Sequence, residues 1–131
     1  MAYPGNFKYS EEHEWIRVEE DGTTAYIGIT DFAQGELGEL VYVEVETIGE
    51  TIEKGGVFGT VEAVKTTSDL FMPVSGEILE LNEELSEDGG DNPQLINEDP
   101  HGKGWLVKIK MTDSTEMDGL MDAKAYEAFI G

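Results

Sequence analysis

Residues 57–72, VFGTVEAVKTTSDLFM, hold one primary amine, Lys65, in a stretch where Glu62 is the only other charged side chain before Ser68. Alternation puts Val57, Gly59, Val61 and Ala63 on one face of a strand. Residues 66–72 return with similar spacing, which predicts a hairpin with Lys65 at or beside its tip. A tip projects the amine into solvent, as a group to be modified or as a plain charge. The commoner role of such a lysine is to guard a strand edge against aggregation, and the hairpin pattern alone does not separate the two.

No second chemical constellation competes with this position. The chain has no cysteine, which excludes disulfides, thiolate metal sites and a cysteine nucleophile. His13 and His101 lack the spacing of a metal pair, and His13-Glu14 is not followed by the second histidine that a zinc-protease helix needs. Glu87-Asp88-Gly89-Gly90-Asp91-Asn92 lacks the ligand order and distal glutamate of a calcium loop and reads as an acidic turn. No Ser, His and Asp set stands out, so a stand-alone enzyme is the weakest reading.

The elements that must position Lys65 are short strands. Apolar alternation recurs at 15–18, 25–29, 40–45, 57–64, 76–81 and 105–111, each run bounded by Gly, Asp, Asn or Pro. Such spacing predicts a mainly β sandwich or flattened barrel, with helices as accessories. A short helix is expected at 31–37, capped by Thr30 and ended by Gly38. The C-terminus also reads as helical. Asp113 and Glu116 form a capping pattern, Met117, Leu120 and Met121 one apolar stripe, and Asp122 caps a last segment carrying Tyr126, Phe129 and Ile130. GELVYV at 38–43 echoes GEILEL at 76–81, as two related halves packed face to face would.

Composition limits the partners. With 131 residues the chain is expected to form one domain over 1–131. A formal charge of -21, from 29 acidic and 8 basic residues, disfavours nucleic acid and anionic membrane and favours partners with a basic face. The first residues, with Glu11, Glu12 and Glu14, show neither a basic segment nor an apolar run. A cytoplasmic location is therefore expected, the mitochondrial matrix requiring that a transit peptide was removed. A monomer is the default.

Glu62-Ala63-Val64-Lys65-Thr66, with Gly59 upstream and Met72-Pro73-Val74-Ser75-Gly76 downstream, resembles the lipoyl-attachment hairpin of the H proteins of the glycine cleavage system. The likeness continues in His13-Glu14-Trp15, Gly28-Ile29-Thr30-Asp31, Ala33-Gln34, Leu37-Gly38, Asn92-Pro93, Leu95-Ile96-Asn97, Asp99-Pro100 and Gly104-Trp105, and so spans almost the whole chain. Phe32 departs from it, standing where many relatives have a histidine, and Val45-Glu46-Thr47 lacks a proline often found there.

The resemblance implies a barrel-sandwich hybrid of the lipoyl-carrier and biotinyl-carrier type and a non-catalytic carrier. In it (R)-lipoate is attached to Lys65, with Glu62, Val64 and Thr66 as the immediate setting. It implies that the arm takes an aminomethyl group from glycine decarboxylase, yields it to a folate-dependent aminomethyltransferase and is reoxidised by dihydrolipoyl dehydrogenase. A lipoate ligase or a lipoyl/octanoyl transferase would load it. Glu14 and Asp69, with Glu12 after them, are the acids expected to hold the arm's cationic end. Other readings stay open: an H-like carrier that relays lipoyl groups to other enzymes, or an unmodified acidic interaction module. A biotin carrier is disfavoured because Val64 and Thr66 flank the lysine where biotin domains usually have methionines. A lipoyl domain of a 2-oxo acid dehydrogenase would be shorter.

Overall fold

The computed structural model describes residues 3–131. Its strands are β1 (Lys8–Tyr9), β2 (Glu14–Val18), β3 (Thr24–Ile29), β4 (Leu40–Glu44), β5 (Thr51–Ile52), β6 (Val57–Ala63), β7 (Thr67–Phe71), β8 (Gly76–Leu81) and β9 (Val107–Met111). Helices α1 (Asp31–Leu37), α2 (Leu95–Glu98) and α3 (Ala123–Ile130) are short, and 3-10 turns occupy Glu83–Leu85 and Ser114–Gly119. The strands form two antiparallel sheets, ordered β1-β2-β3-β9-β8-β5 and β4-β6-β7. This is the mainly β, two-sheet architecture that the short alternating runs predict. The echoing runs fall on β4 and β8, in different sheets. Among the described residues no helix is long and apolar enough to cross a membrane.

The sheets exist because their inward faces bury apolar side chains against each other. Ile27, Ile78, Val107 and Ile109 of the larger sheet join Phe58, Val61 and Leu70 of the smaller in one cluster. Each such side chain contributes roughly 1.5–3 kcal/mol by leaving water. A second cluster, of Phe7, Tyr9, Trp15 and Tyr126, welds the N-terminal segment to α3. Trp15 lies across Gly28, its partner on β3, where a Cβ would stand 2.5 Å from the indole ring, and the indole N–H donates to the Pro100 carbonyl at 2.8 Å. Only glycine leaves room for that crossing.

Helix α1 follows its sequence signals. The Thr30 hydroxyl accepts from the Ala33 N–H at 3.2 Å, and Gly38, at φ 82°, ends the helix by donating to the Gln34 carbonyl at 2.9 Å. Asp122 caps α3 through the Ala125 N–H at 2.8 Å.

Four sequence expectations need correction. Val57 does not share the buried face with Val61 and Ala63: the register shifts between Val57 and Gly59, leaving Val57 exposed and turning Phe58 into the core. Met117, Leu120 and Met121 are not one stripe. Met117 and Leu120 pack on the main core, while Met121 joins the aromatic cluster and bridges Tyr9. Glu116 does not complete a capping box with Asp113; its carboxylate accepts from the Ser75 N–H at 2.6 Å and hydroxyl at 3.0 Å. The last strand begins at Val107 rather than Trp105, whose ring lies edge-on to Tyr26, with centroids 4.8 Å apart. Elements β1, β5 and α2 have no counterpart among the expected ones, being too short for any periodicity to register.

Candidate functional site

Strands β6 and β7 form the expected hairpin, and Lys65 sits in its turn, exposed to solvent. The turn is held from two sides. The Ala63 N–H donates to the Thr66 carbonyl at 2.7 Å, and the Val64 N–H to the Glu39 carbonyl at 3.1 Å. The chain just beyond Glu39 is itself tied down, because the Leu40 N–H donates to Asn97 Oδ1 at 2.9 Å. Lys65 therefore stands on an anchored tip. Glu62, Val64 and Thr66 surround it and are also exposed, Val64 to 69%. An exposed valine of that degree leaves an enzyme's surface free to approach the lysine.

The acids lie at the seam between the sheets, Asp69 on β7, Glu14 at the start of β2 and Glu12 in the turn before it. Strand β7 is an edge of the smaller sheet, and its Phe71 N–H turns away from β6 to donate to Glu14 Oε2 at 3.1 Å. The Ser10 hydroxyl donates to Glu14 Oε1 at 2.9 Å and accepts from the Glu14 N–H at 3.1 Å. Glu14 is thus a buried carboxyl, only 2% exposed, rather than one more solvated acid. Burial pushes its pKa up to about 8; the bonds from Phe71 and Ser10 pull the other way without cancelling that effect.

Two cavities flank Glu14. One, of about 260 Å³, has Glu12, Glu14 and Asp69 on its walls, with Val61, Leu70, Phe32 and Leu37 as apolar lining. The other, of about 420 Å³, reaches Glu12 and Glu14 past Lys54, Phe71, Met72 and Pro73. The structure therefore brings Glu14, Asp69 and Glu12 to one cavity, with the last two exposed. It sets Lys65 apart from them, in the turn before β7 and four residues from Asp69, at most roughly 13 Å of extended chain.

Ser10 and the Phe71 N–H escape sequence reasoning, because neither belongs to a periodic pattern or a charged motif. Phe32 is a cavity wall, a role its position in an expected helix does not announce. His101 acts at the start of α1, where Nε2 accepts from the Asp31 N–H at 3.1 Å. Among the described residues no group of three or more His, Cys, Asp or Glu is arranged to hold a metal ion.

Comparison with known proteins agrees over nearly the full chain. The family model described as "Glycine cleavage H-protein" matches residues 7–131. The glycine cleavage system H protein of Bacteroides thetaiotaomicron is 55% identical over 130 residues, covering 99% of this chain and 98% of that protein. That of Chlorobium phaeovibrioides is 50% identical over 131 residues, covering 100% and 99%. A crystal structure of a glycine cleavage system H protein from Mycobacterium marinum superposes with a TM-score of 0.85 at 37% identity, over 98% of this chain and 99% of that one.

Proposed function

The chain belongs to the glycine cleavage H-protein family, and from that premise we propose that it works as a single carrier unit through (R)-lipoate joined by an amide to Lys65. Members of this family are non-catalytic carrier subunits of the glycine cleavage system, and this chain is one. The observation that carries the proposal is the exposed Lys65 on a turn anchored to Glu39, in a hairpin whose return strand takes Asp69 to the cavity that Glu12 and Glu14 also line.

The residues present suit the group. A lysine stem and a lipoyl chain, built from bonds of about 1.5 Å, make an arm on the order of 10–15 Å, enough to cover the four residues between Lys65 and Asp69, which span at most roughly 13 Å when extended. The cavity of about 260 Å³ is narrow and partly apolar, and accepts a slender chain. When bound, the lipoyl group supplies a dithiolane that opens to two thiols and bears the aminomethyl group.

This chain's own residues bind, orient and shield. Val61, Leu70, Phe32 and Leu37 keep the cavity wall dry, which strengthens every charge interaction inside it. Asp69 and Glu12 at the rim attract a cationic arm end. Glu14 holds its proton while the cavity is vacant of positive charge, since burial raises its pKa to about 8. A nearby ammonium reverses that preference, so Glu14 gives up the proton and pairs with the cation through the oxygens that Ser10 and Phe71 orient.

The partners that follow are glycine decarboxylase, the folate-dependent aminomethyltransferase and dihydrolipoyl dehydrogenase, with a lipoate ligase or lipoyl/octanoyl transferase to load Lys65. Relatives in bacteria support a cytoplasmic location.

The test is an intact-mass measurement on the protein incubated with lipoate, ATP and a lipoate ligase. Wild type gains the mass of one lipoyl amide, and Lys65→Ala gains none. Equal gain in both proteins, or none in either, removes Lys65 as the attachment site and leaves an unmodified interaction module.

A further inference from the structure

Helix α3 touches the arm cavity indirectly, through the lining residue His13, which meets the Tyr126 hydroxyl and the Phe129 ring. The Tyr126 ring is fully buried and stacked on Tyr9, with centroids 4.9 Å apart. Its oxygen lies 2.8 Å from His13 Nδ1 and 2.7 Å from the Thr30 hydroxyl, which also accepts from the Ala33 N–H. Burial lowers the pKa of His13 and keeps its ring neutral. The two hydroxyls and His13 Nδ1 thus form one hydrogen-bonded chain, in which the histidine tautomer sets the donor at each link. Thr30 closes the circuit through the backbone, its N–H donating to the His13 carbonyl at 3.0 Å.

The residue held this way is strained. His13 has φ 67°, a left-handed backbone that a side chain of its kind adopts only when its surroundings compel it. Glu14 is the next residue, and the direction in which its carboxyl leaves the chain depends on that backbone. We infer that Tyr126 is a positioning residue for the arm cavity: through His13 and Thr30 its hydroxyl fixes the turn that aims the Glu14 carboxyl at Ser10 and the Phe71 N–H. The inference rests on reading Glu14 as the acid that receives the arm. The C-terminal helix thereby belongs to the binding machinery, although it lines neither cavity that flanks Glu14.

Tyr126→Phe removes the hydroxyl and keeps the ring. It leaves His13 Nδ1 and the buried Thr30 hydroxyl without their partner, which frees the turn and lets water reach Glu14. The measurement is the titration of the Glu14 side-chain carboxyl, followed by carbon NMR in the unmodified chain. The other titratable residues facing its two cavities are Tyr9, Glu11, Glu12, His13, Glu36, Lys54 and Asp69; all are present in the variant, and of these only His13 loses its bond to Tyr126. Tyr126→Phe is expected to lower the proton affinity of Glu14 by about tenfold or more, one pH unit, as the carboxyl regains water.

Ile130→Ala, on the same helix and packed on the same aromatic cluster, loosens α3 without touching the hydroxyl, and is expected to lower stability and leave the Glu14 midpoint in place. His13→Asn puts an acceptor near the Nδ1 position in a residue type that tolerates a positive φ, and is expected to retain the wild-type midpoint, whereas His13→Ala loses it. Equal midpoints in wild type and Tyr126→Phe, or equal shifts in Tyr126→Phe and Ile130→Ala, overturn the inference. Because no arm is present in this assay, failure of lipoylation at Lys65 leaves its result intact, and the two ideas fall separately.

Discussion

Replacing Glu14 by Gln should stabilise the protein at alkaline pH and not at acid pH. The unfolded glutamate titrates near 4.5, while burial raises the folded value to about 8. A carboxyl whose pKa rises on folding contributes fully below the unfolded pKa. That contribution is lost as pH climbs from 4.5 through about 8, because the unfolded chain releases the proton first. At about 1.4 kcal/mol per pH unit, the loss amounts to about 5 kcal/mol above pH 8.

Gln carries no such penalty. Its amide oxygen accepts from the Phe71 N–H, but its NH2 then faces Ser10, whose hydroxyl proton loses an acceptor. That costs about 1 kcal/mol at any pH. Wild type is accordingly the more stable near pH 4 by about 1 kcal/mol, and the variant the more stable above pH 8 by about 4 kcal/mol. For a chain of 131 residues the alkaline gap corresponds to a Tm difference of about 10 °C or more.

Urea unfolding of both proteins at unit steps from pH 4 to pH 9 measures the gap directly. The other acidic groups, common to both chains, drop out of the difference. A gap that stays constant across this range, or one that moves in favour of wild type as pH rises, refutes the reasoning that Glu14 is buried and holds its proton.

Gly28→Ala should destabilise the fold by about 1–3 kcal/mol, because the new Cβ meets the Trp15 ring and the indole is pinned by Pro100; thermal melts and a shifted tryptophan emission check it. Asp122→Ala removes the cap of α3 and should cost about 1 kcal/mol, seen as a lower urea midpoint with an unchanged slope. Association with glycine decarboxylase should weaken as salt is raised, since a chain of charge -21 meets its partners through their basic patches; binding by calorimetry that is flat between low and high ionic strength contradicts this.

The hairpin around Lys65, helix α1 and most strands could be read from the chain because their causes are local. Two-residue alternation selects strand faces, Thr30 and Gly38 carry the start and stop of a helix, and a lone charge between two alternating runs marks a turn. The apolar pair Val57 and Phe58 shows where local reasoning fails. Alternation fits either register, and only packing against the other sheet chose the bulge that buries Phe58. Glu116 likewise has a local partner in sequence and a distant one, Ser75, in the fold.

By itself, then, the sequence determined the two-sheet class, the exposed amine of Lys65 and, through likeness over almost its whole length, the family of carriers. Its lack of cysteine also excluded thiol chemistry of its own. Tertiary structure alone decided what Glu14 is. Among 29 acidic residues nothing in the order of letters separates a solvated carboxylate from a buried carboxyl. The difference arises when Ser10 and the edge of β7 close around that side chain and remove its water. The clasp of Tyr126 on His13 spans 113 positions and has no local signature. Desolvation and long-range hydrogen bonds belong to neighbours in space, and these exist only once the sheets have packed.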